Sequence, residues 1–169
     1  MELLKNGLGK PAVQRIASAL APQLPNFNQE LFVTQATSGL DGLELKQRVS
    51  HLITTLHDFL PENFVEAAKV LKQLPDSLDK GDPDDALRGF AAWPLIDYAA
   101  VYGLEHPKTA LPLLKKLTAM FSAEFAIRPF LLTHPAYSES QLLKWTQDKN
   151  EHVRRLASEG SRPRLPWGM

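Results

Sequence analysis

A chain of 169 residues with 44% apolar and 22% charged side chains is about one domain long and can bury a sizeable core. It has no cysteine, which excludes disulfides and thiolate zinc sites, and no apolar run near the roughly 20 residues a membrane helix needs. Its net charge of zero speaks against a generally basic nucleic-acid binder.

In chain order, the pattern predicts a helix over residues 11–21, with Pro11 at a first helical position and Val13, Ile16, Ala17 and Leu20 on one face. Pro22 and Pro25 close it. A shorter helix is expected over 29–37, ending before Ser38-Gly39. Residues 43–60 carry the clearest periodicity, in Leu45, Val49, Leu52, Ile53, Leu56 and Phe59, and Pro61 stops that helix. Phe64, Ala67, Ala68 and Leu71 mark the next. Residues 75–85 are acidic, hold Pro and Gly, and read as an exposed loop. An interrupted helical stretch follows over 86–102 around Pro94, then a helix over 107–120 with Ala110, Leu114 and Leu117 in its core stripe. Another is expected from Ser122 as N-cap, kinked by Pro129, and the last two cover 139–147 and 150–159.

No segment alternates as a strand does, so the expected class is all-α. Ser122–Leu131 and Lys149–Ala157 resemble each other: a polar cap, a glutamate, then an aliphatic-Arg pair followed by apolar residues. Helix pairs with Asp/Asn and Val-Arg in the second helix are a mark of HEAT-like repeats, which stack as antiparallel pairs into a curved solenoid. The spacing from Ile127 to Val153, 26 residues, is shorter than the usual HEAT period. An irregular helical bundle is the competing arrangement.

Much familiar chemistry is missing. The five histidines show no paired ligand spacing and read as surface or capping residues. Gly7-Leu-Gly-Lys10 lacks the leading glycine and the closing Ser/Thr of a phosphate loop. There is no nucleophile elbow or dinucleotide fingerprint, and the acidic loop lacks the ligand order of a calcium site. Nothing asks for a metal or a cofactor. The N-terminus has no basic flank, apolar stretch or cleavage site, so the cytoplasm is the default location.

What remains lies in the C-terminal third. From Lys144 onward six Lys/Arg stand against three acids, a net of +3 that the rest of the chain balances. A neutral protein with a basic end can turn one face toward a polyanion. Asn150 is a good N-cap, Val153, Leu156 and Ala157 share a buried face, and Arg155, Glu159 and Arg162 share another, with Gly160 expected to fray the helix. Beyond it, Ser-Arg-Pro-Arg-Leu-Pro-Trp167 fixes the backbone with two prolines and leaves Arg162, Arg164 and Trp167 to bind something. Read alone, Glu124/Arg128 and Arg155/Glu159 are equally well ordinary surface ion pairs, and Phe125 and Trp167 packing aromatics.

Phe121-Ser-Ala-Glu-Phe-Ala-Ile-Arg-Pro-Phe130 and the run Trp145–Trp167 resemble the AlkC branch of the bacterial HEAT-like DNA-alkylation-repair glycosylases. Gly42-Leu-Glu-Leu-Lys-Gln-Arg-Val-Ser-His51, after Pro25-Asn-Phe27, agrees too, so the resemblance runs through nearly the whole chain. It implies a monofunctional N-glycosylase that excises cationic methylated purines, chiefly 3-methyladenine, from double-stranded DNA. On that match Glu124 and Glu159 are the catalytic carboxylates, Phe125 and Trp167 pack against the cationic nucleotide, and Arg155, Arg162 and Arg164 hold phosphates. Arg155 could also fix the rotamer of Glu159. The related AlkD branch can leave its lesion stacked, so base flipping is not implied. Members of the AlkC branch continue past the Leu-Pro-Trp run with further repeats that supply another catalytic carboxylate. A chain ending at Met169 is therefore expected to be a single HEAT-like domain incomplete at its C-terminus, with an exposed apolar edge prone to self-association. The alternatives are a non-catalytic DNA-binding module and a protein-interaction scaffold.

Overall fold

The computed structural model describes residues 3–163, so the expectations placed on Arg164 and Trp167 lie outside the described residues. Every regular element among the described residues is helical, and none of those helices is long and apolar enough to cross a membrane. Neighbours joined by short loops pack on each other, which makes them antiparallel, and the fold is HEAT-like. The chain divides into two compact units, residues 1–95 and 96–169.

In the first unit, α1 (Lys10–Leu20) buries the predicted Val13, Ile16, Ala17 and Leu20 together with Ala12 and Ala19. It packs on α2 (Gln29–Thr37), and α2 packs on α3 (Leu45–Phe59). Each of the later starts is chemically marked. Asn28 Oδ1 accepts the Leu31 N–H at 2.9 Å, and the N-terminus of α3 is closed by a capping box of Glu44 and Gln47. Asn63 caps α4 (Phe64–Leu71) in the same way. The rings of Phe27, Phe32 and Phe59 meet with centroids 5.2–5.8 Å apart.

Two arginines of this unit grip main chain rather than acids. Arg48, only 4% exposed, donates to the carbonyls of Leu43, Lys5 and Asp41 at 3.0, 2.9 and 3.4 Å. Arg15 reaches from α1 to the acidic loop, donating to the Asp79 carbonyl at 2.9 Å and the Arg88 carbonyl at 3.0 Å. The loop itself begins later than the composition implies. Leu74 is fully buried and opens a four-residue turn of helix, α5 (Leu74–Ser77), before the exposed stretch. Gly81 in that stretch has φ +77, a left-handed backbone that favours glycine, and a Cβ there would also press on the Arg15 guanidinium at 2.9 Å.

The expected interruption at Pro94 is a helix start: Pro94 stands in the first turn of α6 (Trp93–Tyr102), where a missing N–H is harmless. The second unit continues with α7 (Pro107–Leu117), α8 (Arg128–Thr133), α9 (Pro135–Trp145) and α10 (Glu151–Gly160). One expectation fails here. No helix starts at Ser122, because residues 124–127 form a turn and α8 begins only at Arg128. Thr118 Oγ1 accepts the Ala123 N–H at 3.2 Å and Ser122 Oγ the Glu124 N–H at 3.4 Å, local bonds that compete with helix. Pro129 accordingly opens α8 instead of kinking a longer helix. Likewise α9 starts at Pro135, four residues ahead of the expected boundary. The two similar segments thus fold differently: Asn150 caps a helix, Ser122 only a turn.

Candidate functional site

The end of the second unit is built from α10 outward. Asn150 Oδ1 accepts the His152 N–H at 2.8 Å, and Val153, Leu156 and Ala157 are buried as the spacing predicts. The approach to this helix is fastened by Asp148. Its Oδ1 accepts the Asn150 N–H at 2.9 Å and its Oδ2 meets Lys115 Nζ of α7 at 3.1 Å. Arg154 Nη1 folds back onto the carbonyls of Asp148 and Lys149 at 2.8 and 3.0 Å, so it is committed to the helix start.

The Asn150 amide, and after it Lys115, hold the Asp148 carboxyl below its ordinary value of 3.8. A depressed folded value means stability that is present above 3.8 and lost as the pH falls below it. Asp148→Asn should therefore be less stable than the parent at about pH 6, and the difference should narrow at about pH 3. Urea midpoints at the two pH values check this; a gap that stays as wide in acid would mean Asp148 acts otherwise than through its charge.

At its other end, α10 is locked to the 124–127 turn. The helix ends at Gly160, where the sequence places its end, and Gly160 is buried. A Cβ there would lie 2.6 Å from Ile127 Cγ2, so the glycine is required for close approach rather than for an unusual backbone angle. Beside it, Arg128 Nη1 donates to the Arg162 carbonyl at 2.6 Å and to the Gly160 carbonyl at 3.5 Å, and Nη2 to the Pro163 carbonyl at 3.1 Å. Of these, the Gly160 carbonyl is one that the C-terminus of α10 leaves open, and the other two lie just past the helix. Arg128 is thus engaged with the end of α10, and the ordinary Glu124–Arg128 ion pair is not what it makes.

Glu124, in the turn, is half-buried, and its Oε2 is shielded from solvent without a hydrogen-bond partner among the described residues. An orphaned buried oxygen costs about 1–3 kcal/mol, which is unusual unless something else engages it. Phe125 follows it in the turn, also half-buried. Glu159 lies in the last turn of α10, and Arg162 Nη1 holds its Oε2 at 2.9 Å. That partner is Arg162, where the sequence pointed to Arg155. Arg155 is exposed on α10 and makes no hydrogen bond or ion pair with another described residue. The structure therefore brings the Glu124 turn against the end of α10 that carries Glu159, with Arg162 just beyond it, and leaves Arg155 one turn back, exposed and without a partner among the described residues. Arg128 and Gly160 were the residues sequence reasoning missed; the glycine inside an otherwise periodic helical run was the one available signal.

A cleft of about 660 Å³ opens nearby, with Leu131, Leu142, Leu143 and Ala157 in its lining and Arg128 and Arg162 at one side. Glu124 and Phe125 are not part of it. Leu132 and Leu143 in its lining are 85% and 73% exposed.

These features define an all-helical, HEAT-like protein whose second unit brings the turn that holds Glu124 to the end of α10, which bears Glu159 and an exposed Arg155. No family model matches the chain. Over 166 residues it is 36% identical to the uncharacterized protein YhaZ of Bacillus subtilis, covering 98% of this chain and 44% of that protein. Its structure matches the Pseudomonas fluorescens alkylpurine DNA glycosylase AlkC, solved bound to DNA containing an abasic site analog. That match has a TM-score of 0.86 and 38% identity, and covers 99% of this chain and 45% of AlkC. The resemblance to AlkC therefore holds in sequence and in fold along the whole chain, which spans less than half the length of either relative.

Proposed function

We propose that this chain carries the lesion-facing surface of a DNA repair N-glycosylase that excises cationic alkylated purines such as 3-methyladenine. The observation that carries the reading is the orphaned Oε2 of Glu124, in a turn docked on the helix end that bears Glu159, in a chain 38% identical to a glycosylase solved on abasic DNA. Methylation makes the base a positively charged leaving group, so a strong general acid is unnecessary. What the reaction needs is stabilisation of an oxocarbenium-like sugar and a directed water, which fixed carboxylates supply. Glu124 and Glu159 take those roles. Phe125, and Trp167 beyond the described residues, offer ring faces to the cationic nucleotide. Arg155, exposed and without a partner among the described residues, takes a phosphate, as do Arg162 and Arg164. Double-stranded DNA is the partner, no cofactor takes part, and the cytoplasm is the matching compartment. Any self-association is seated on Leu132 and Leu143.

The test is release of 3-methyladenine from methylated duplex DNA by the 169-residue chain, with unmethylated duplex as control. Release from the methylated duplex alone is the expected result. Arg155→Ala should weaken duplex binding and lower the slope of log affinity against log salt by about 1. Salt-dependent binding without release would leave a non-catalytic DNA-binding module. Absence of both would leave a protein-interaction scaffold.

A further inference from the structure

The contacts of Arg128 span two elements that are more than thirty residues apart in sequence. It is the first residue of α8, where a cation meets the positive end of a helix dipole and gains nothing locally. Its engagement is entirely outward: three main-chain carbonyls, at Gly160, Arg162 and Pro163, held by a planar fork. The middle one belongs to the residue whose side chain grips Glu159. Pro163, which follows, has no N–H to anchor this stretch from its own side. The 160–163 segment therefore takes its position from Arg128, and through Arg162 so does the Glu159 carboxylate.

We propose that Arg128 is a positioning residue: by holding the 160–163 backbone it keeps Arg162 on Glu159 and sets that carboxylate against the Glu124 turn. The inference rests on the glycosylase reading above. It is specific to a fork that can reach several carbonyls at once, which a lysine cannot reproduce although it keeps the charge.

The experiment compares the parent, Arg128→Lys, Arg162→Met and the double variant, measuring single-turnover 3-methyladenine release at saturating protein, duplex affinity and melting temperature. Arg128→Lys should lower the saturating rate about tenfold while duplex affinity and melting temperature stay near the parent's, because the charge remains and only the geometry is lost. The double variant should be no slower than the slower single one, since both substitutions break the same link. Losses that multiply, or Arg128→Lys at the parental rate, overturn the assignment while leaving the glycosylase reading intact. A parent that releases no base overturns both. Should Arg128→Lys fail to fold, Arg128→Gln, which keeps N–H donors without the charge, takes its place with the same expected loss.

Discussion

Glu124→Gln should cut 3-methyladenine release about a hundredfold or more at saturating protein with duplex binding retained, while Glu124→Met leaves the fold as stable as the parent or more so. The two outcomes have opposite signs, and that is the point of the pair. Oε2 of Glu124 is buried without a hydrogen-bond partner among the described residues, so its removal should relieve a cost of about 1–3 kcal/mol instead of incurring one. A residue kept at the expense of stability is one kept for what it does when the second molecule arrives. Single-turnover release and urea denaturation measure the two arms. A Met variant destabilised by about 2 kcal/mol would mean the carboxylate is a structural group and remove it from the mechanism. Glu159 behaves differently in the free chain because Arg162 already partners it. Its exchange for Gln breaks a half-exposed ion pair of little worth to stability, and release should fall all the same.

The largest effect on stability is expected at Gly160. Alanine there would ordinarily help a helix by about 1 kcal/mol over glycine. Here the new methyl meets Ile127 Cγ2 at 2.6 Å, on a fully buried and χ1-stiff side chain that has little room to yield. Overpacking of this kind costs about 1–3 kcal/mol, so Gly160→Ala should be destabilising on balance and Gly160→Val more so, by about 3 kcal/mol. The substitution also pushes α10 away from the turn that holds Glu124. Chemical denaturation of Gly160→Ala, Ile127→Ala and the pair decides the mechanism. In the double variant the alanine at 160 should cost much less, because the atom it strikes is gone. Equal costs in both backgrounds would place the strain elsewhere.

Much of α10 is legible in the chain itself. Asn150 reads as a cap and caps; Val153, Leu156 and Ala157 read as one face and are buried together. Local physics settles these features, and local physics is what a periodicity reports. The stretch before α8 is different. Ser122 followed by Glu124 looks like a helix start, and its amides are instead taken by Thr118 and Ser122 side chains, a competition that periodicity does not weigh. Arg128 and Gly160 were misjudged for a related reason: their partners, the carbonyls past α10 and the methyl of Ile127, are distant in sequence. The HEAT-like class owed as much to family resemblance as to pattern, since the 26-residue spacing alone left an irregular bundle open. The assignments to Glu124 and Glu159 came from the resemblance too, and geometry has since separated them into one orphaned and one partnered carboxylate.

Arg15 and the acidic loop carry a different lesson, about inheritance. The guanidinium holds the loop through the Asp79 carbonyl and the chain just past it through the Arg88 carbonyl, a feature every residue type possesses. Recognition of that kind is blind to side-chain identity. Lys80 and Asp84 can drift under mutation without loosening the tether, whereas Arg15 supplies both of its bonds and Gly81 holds a φ of +77 that other side chains rarely adopt. Variation in descendants of this sequence should therefore gather in the loop and stop at those two positions.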